Sequence, residues 1–94
     1  MTIRHGILAL SNVTPTLMII DDVDPVQYSV SISVQNIDES ATVYLGDSTV
    51  TTEDYGYILG AGGTFSLQDV PRYHGLHAVT DTNGSEVAII RISK

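Results

Sequence analysis

From Val26 to Gln35 the chain alternates without a break: Val26, Tyr28, Val30, Ile32 and Val34 interleave with Gln27, Ser29, Ser31, Ser33 and Gln35. Successive side chains of an extended chain point to opposite sides, so this period of two predicts a strand with one buried and one wet face. The wet side carries hydroxyls and amides and no charge, which makes it a candidate protein-contact face beside the ordinary alternative of a solvated one. A chain committed to this pattern needs other strands to pair with and a second layer to cover its apolar side.

Further strands are predicted at short spacing. Thr2 to Leu10 and Thr16 to Ile20 precede the alternating segment, and Thr42 to Leu45 follows it, ending at the turn-forming Gly46-Asp47-Ser48. Thr49 to Thr52 then resumes with β-branched residues. Tyr57 to Leu59 and Thr64 to Leu67 flank Gly60-Ala61-Gly62-Gly63, and Leu76 to Thr80 and Glu86 to Ser93 flank a stretch containing Asn83-Gly84. Both linkers predict hairpins, since glycine supplies positive φ without a Cβ clash. Val, Ile and Thr make up about a third of the chain, a bias that suits pleated surfaces. No segment keeps helical spacing for ten residues, although Val23 to Val26 and Asp69 to Tyr73 each have room for a single turn. The expectation is one all-β domain spanning 1–94, a small antiparallel sandwich of about eight short strands, jelly-roll or Ig-like. Residues 1–14 are the candidate for an extended arm, pairing in the sheet or reaching to a neighbour. The expected core is Val26, Tyr28, Val30, Ile32, Val34, Val43, Leu45, Phe65, Leu67, Leu76, Ala78, Ile90 and Ile92. In the last strand Val87, Ile89 and Arg91 form the opposite face, so both sides are partly apolar, as in a strand covered twice or one at an interface.

Charge narrows the partners. Eleven acids against four bases give −7 over 94 residues, the wrong sign for neutralising phosphates, so no nucleic-acid partner is expected. The longest apolar runs, Ile7 to Leu10 and Leu17 to Ile20, fall far short of the ~20 residues that cross a bilayer, and no secretory signal is recognisable at the start. Without cysteine there is no disulfide or thiolate site.

The constellations that resemble chemistry each have a plainer explanation. Asp21-Asp22-Val23-Asp24 offers carboxylates for calcium but lacks the glycine turn and the distal Glu of a calcium loop. His74 and His77 are three apart, which on a strand sends them to opposite faces, and His5 is remote in sequence. No Gly-x-Ser-x-Gly elbow is present, and the Gly60 to Gly63 run lacks the Lys-Ser/Thr of a phosphate loop. Glu39, Glu53, Asp54 and Glu86 supply carboxylates for glycoside cleavage in composition alone. No catalytic residue, metal or cofactor is therefore expected. Tyr44, Tyr55, Tyr57 and Tyr73 lie in the turn-rich second half, where amphipathic rings serve protein contacts, and Arg72 and Arg91 are rare cations suited to pairing with an acid across subunits. These six are the candidate interface residues.

Val43-Tyr44-Leu45-Gly46 with Val50-Thr51-Thr52, then Gly56-Tyr57-Ile58-Leu59, Gly62-Gly63-Thr64-Phe65-Ser66-Leu67, Leu76-His77-Ala78-Val79 and the final strand Glu86 to Ile92, resembles small β-rich structural proteins of tailed-bacteriophage virions. The resemblance covers half to two thirds of the chain, and the Gln68 to Gly75 segment is longer and more polar than the family pattern. It implies a head decoration or cement protein on the outer capsid surface. Such a protein would bind the major capsid protein and stabilise the shell as a homo-oligomer, a trimer matching three-fold lattice positions. The alternative is a carbohydrate-binding or adhesion module of a phage tail, which would present coplanar aromatics.

Overall fold

A computed structural model describes residues 2–18, 29–71 and 75–93, and within them the chain forms eight strands and no helix. In order these are β1 (Thr2–Ala9), β2 (Thr16–Leu17), β3 (Ser29–Asn36), β4 (Val43–Gly46), β5 (Tyr57–Leu59), β6 (Thr64–Pro71), β7 (His77–Thr80) and β8 (Glu86–Ser93). They make two antiparallel four-stranded sheets, one ordered β1-β8-β3-β6 and the other β2-β7-β4-β5. β1 pairs with β8, β2 with β7, β3 with β6 and β4 with β5, so the chain is one long hairpin with its tip between β4 and β5. That hairpin is rolled until β3 meets β8 and β4 meets β7. This is the strand order of a jelly roll, and it selects between the two sandwich topologies expected from the sequence.

Ile32, Val34, Val87 and Ile89 from the first sheet face Val43, Leu45, Leu59 and Ala78 from the second, with Leu10 and Met18 closing the layer. Leu8, Phe65, Leu67 and Leu76 are half-buried against it. Five expected core positions, Ile32, Val34, Val43, Leu45 and Ala78, are thus fully buried; Val26, Tyr28 and the side chain of Val30 lie outside the described residues. Two expectations are overturned. Ile90 is 45 % exposed and Ile92 is only half-buried, whereas Val87 and Ile89 are in the core. The register supplies the reason: Ile89 pairs with Val34 and Ile90 with Ser33, and cross-strand partners share a face. The apolar side of β3 therefore draws Val87 and Ile89 inward.

Neither glycine-rich linker closes a hairpin. Each carries the chain from one sheet to the other, the first between β5 and β6 and the second between β7 and β8. The local reading holds, with Gly62 at φ 75° and Gly84 at φ 89°, and Gly63 N–H donates to the Gly60 carbonyl at 2.9 Å. Thr49 to Thr52 is not a strand. The Asp47 carboxylate accepts from Thr49 N–H at 2.8 Å and the Thr51 hydroxyl accepts from the N–H groups of Glu53 and Asp54. Side chains that engage nearby backbone in this way favour a turn over a ladder. Asp69 to Pro71 extends β6 rather than starting a helical turn; Val23 to Val26, Arg72 and Tyr73 lie outside the described residues. β1 pairs along its length with β8, the first of the two roles foreseen for the N-terminal segment.

Buried polar side chains secure both crossings. Asn36 is fully buried, and its Nδ2 donates to the carbonyls of Ala41 (2.9 Å), Leu59 (3.1 Å) and Gly60 (3.2 Å) while its Oδ1 accepts from Asp38 N–H at 3.0 Å. One side chain at the end of β3 thus ties the first sheet to β5 in the second. At the other crossing the buried Ser85 hydroxyl donates to Thr80 Oγ1 at 2.5 Å, and Thr80 Oγ1 donates to the Thr42 carbonyl at 3.2 Å. Replacing Asn36 by Ala strands several buried backbone groups, at a cost of about 3 kcal/mol. The expected result is a thermal midpoint lower by roughly 10 °C or more in calorimetry. Ser66→Ala, which removes only the 2.9 Å contact with the Ser33 hydroxyl on the outer face, is expected to change stability by about 0.5 kcal/mol or less.

Candidate interaction surfaces

The candidate tyrosines occupy two places. Tyr44 alternates with the buried Val43 and Leu45 and so points away from the core on the outer side of the second sheet, beside Ile58, its partner on β5. Tyr55 reaches the same side from the β4–β5 loop and meets Tyr44 with ring centroids 4.9 Å apart and planes tilted by 54°. Tyr57 is in phase with the buried Leu59, and its ring lies 4.9 Å from Phe65 of β6 at a tilt of 46°. It closes the open side of the sandwich between the edge strands β5 and β6. Tyr44, Tyr55 and the exposed Ile58 therefore form an outward aromatic–aliphatic patch, while Tyr57 spans the two sheets.

The loop that delivers Tyr55 is braced from both ends. Asp47 accepts from Thr49 N–H at 2.8 Å and from the Thr49 hydroxyl at 2.6 Å, Thr51 N–H donates to the Asp54 carbonyl at 2.8 Å, and Gly56 N–H donates to the Leu45 carbonyl at 2.8 Å. Loop residues from Gly46 to Gly56 line an open depression of about 270 Å³ beside the tyrosine pair. The Thr49 hydroxyl, then the Thr49 N–H, hold the Asp47 carboxyl below its ordinary value of 3.8, with His77 adding a smaller attraction. Asp38 is lowered as well, first by the Ser40 N–H and then by that of Ala41.

A second surface lies on the opposite side of the molecule. Ile3, Ile7 and Ile90 are 56 %, 59 % and 45 % exposed on the outer face of β1 and β8. The same face continues across β3 and β6 as Ser31, Ser33, Gln35, Thr64 and Ser66. The uncharged wet side foreseen for the alternating strand is thus half of a larger face whose other half is isoleucine. This second half was not among the expected interface residues, although the doubly apolar last strand signalled it.

Arg91 is 2 % exposed, on the inner phase of β8 between Arg4 and Ile32 in the register, and is not presented on an outer surface. Arg72 and Tyr73 lie outside the described residues, as do the Asp21–Asp24 cluster and His74. His5 and His77 stand on different sheets, and no group of three or more His, Asp or Glu suited to a metal occurs among the described residues. Glu39, Glu53, Asp54 and Glu86 are all exposed and come from three separate parts of the chain. Comparison with protein-family models, with curated proteins and with solved structures found no match to this chain.

A depressed folded-state pKa means that Asp47 braces its loop fully above the unfolded value of 3.8 and loses that contribution as pH falls through the lower, folded value. Carboxyl-carbon NMR titration is expected to place the Asp47 midpoint below 3.8 and to move it upward in Thr49→Ala. A midpoint already at the ordinary value in the parent protein contradicts the arrangement.

Proposed function

We propose that this chain is a structural protein of a tailed-bacteriophage virion. In this reading it is a decoration or cement protein that binds the major capsid protein on the outer shell as a homo-oligomer and acts by covering surface rather than by catalysis. The observation that carries the reading is the outward Tyr44–Tyr55–Ile58 patch, held in place by a braced loop on a rigid sheet. Aromatic anchors of this kind supply much of the energy of protein contacts. The jelly-roll order supports the reading as an analogy, since that architecture recurs in viral shells and also in lectins. Against a sugar platform, the Tyr44–Tyr55 and Tyr57–Phe65 pairs are each tilted by about half a right angle, so neither presents the coplanar rings that stack on a pyranose. An acidic chain of net charge −7 also suits the outside of a shell, away from packaged DNA.

The mechanism is linkage. A protein that binds only the assembled, expanded lattice lowers its free energy relative to the dissociated parts, and many weak contacts sum over a symmetric array. Particles lacking the protein are expected to release their genome at a lower temperature and under milder osmotic shock than complete ones, and adding purified protein back is expected to restore resistance. Tyr44→Ala is expected to weaken binding to stripped shells by at least about tenfold, equivalent to about 1.4 kcal/mol. Equal resistance with and without the protein rejects the proposal.

A further inference from the structure

The outer face of the first sheet is separate from the tyrosine patch, and its register gives it an internal symmetry. Three cross-strand rows run over it: Ile3, Ile92 and Ser31; then His5, Ile90, Ser33 and Ser66; then Ile7, Ala88, Gln35 and Thr64. With histidine neutral none of these carries a formal charge, in a chain whose net charge is −7. Along the strands the face is divided into an isoleucine half on β1 and β8 and a hydroxyl-and-amide half on β3 and β6.

We propose that this face is the docking surface for a second copy of the chain, related by a two-fold axis that runs across the strands along the His5–Ile90–Ser33 row. That operation lays β1 over β1 and β8 over β8. Ile3 then meets Ile7 of the second copy, Ile90 meets Ile90, and Ser31 meets Gln35, so the apolar half covers the apolar half and the hydroxyl half covers its like. A two-fold axis along the strands through the middle of the sheet instead sets isoleucines against hydroxyls. The axis across the strands also exchanges the Ala88 and Ile92 rows. A shallow depression of about 320 Å³ opens beside Ala88, lined in part by Gln35, Thr64 and Ile90, and the same operation sets Ile92 of the second copy over it.

Charge and area name this occupant. Two copies that each carry −7 repel wherever their charged surfaces approach, and these three rows carry no charged side chain, while Glu86, the next outward residue of β8, lies at the rim and is set at opposite ends of the face in the two copies. Four strands about 4.8 Å apart and eight residues long at about 3.4 Å each present roughly 500 Å² per copy, or about 1,000 Å² for the pair, the lower bound for a specific interface. The geometry favours a pair over the three-fold oligomer expected from the lattice argument, because an isologous face closes after two copies.

Sedimentation equilibrium of the 94-residue chain at tens of micromolar is expected to give twice the mass of one chain. Ile90→Lys is expected to weaken self-association at least 100-fold with the fold intact by circular dichroism, and Gln35→Lys, at an exposed site in the polar half, provides a second test if the first variant fails to fold. Because the chain has no cysteine, Ser33→Cys provides a unique label. Packed sheets lie about 10 Å apart, too far for a direct disulfide but within reach of a short bis-maleimide, which is expected to yield a covalent dimer. Edge-to-edge pairing through β1 would separate the two labels by about five strand spacings and leave them unlinked. A monomer at 100 μM, a trimer, a dimer insensitive to both lysines, or an unlinked Ser33→Cys dimer each overturns the proposal. None of these outcomes depends on the virion reading, which the particle assay tests separately.

Discussion

The rest of this fold depends on satisfying the backbone where the chain changes sheets. Apart from β4 and β5, every pair of consecutive strands belongs to different sheets, so the chain repeatedly leaves a ladder at the rim of the sandwich. A peptide group leaving a ladder needs a new partner or loses free energy comparable to a hydrogen bond. Asn36 answers this at one rim. Its side chain occupies the carbonyls of Ala41, Leu59 and Gly60, and its own backbone takes Gly63 as acceptor and Gly62 as donor. At the β7–β8 crossing, Leu10 N–H donates to the Ser85 carbonyl, Gly84 N–H to the Leu10 carbonyl and Asp81 N–H to the Thr42 carbonyl. Three connections far apart in sequence are thereby fastened at one place. The apolar layer holds the sheets together, and these polar fastenings determine which strand follows which into it.

This division explains how much was legible in advance. Alternation is a local property, so strand positions were readable: Tyr57–Leu59 and Glu86–Ser93 appear at the expected bounds. Positive φ is also local, and Gly62 and Gly84 show it. Sheet membership is not local. A glycine turn reverses the chain equally well within a sheet and between two sheets, so both crossings resembled hairpins. The phase of β8 was hidden for a related reason. Its two faces carry similar apolar weight, and Arg91 made the Val87–Ile89 side look like the solvent side although that side lies opposite Val34. Thr49 to Thr52 misled in another way, because β-branched residues favour a ladder only where their backbone N–H groups are not already engaged by neighbouring side chains.

The candidate surface was legible in composition but not in grouping. The tyrosines stood out by type, yet only the register separates Tyr44, which points outward, from Tyr57, which shares the inner phase of Leu59. The isoleucine half of the opposite face required β1 to lie beside β8, a pairing of the first strand with the last that no short-range pattern encodes.

The placement of the two surfaces also constrains how they act together. They are on the outer sides of different sheets, with the whole apolar layer between them, and sheets in a sandwich are about 10 Å apart. Groups separated by this distance without shared partners contribute almost additively. The proposed pairing through the first sheet would therefore leave the Tyr44–Tyr55 patch of each copy facing outward, so that a two-fold pair would carry two such patches on opposite sides. A partner array that engages both gains from multivalency only if its own sites are spaced to match. Under the proposed function, a shell that can touch one side alone would gain nothing from the second patch, so the spacing of its sites would determine whether the proposed pairing and shell binding reinforce each other.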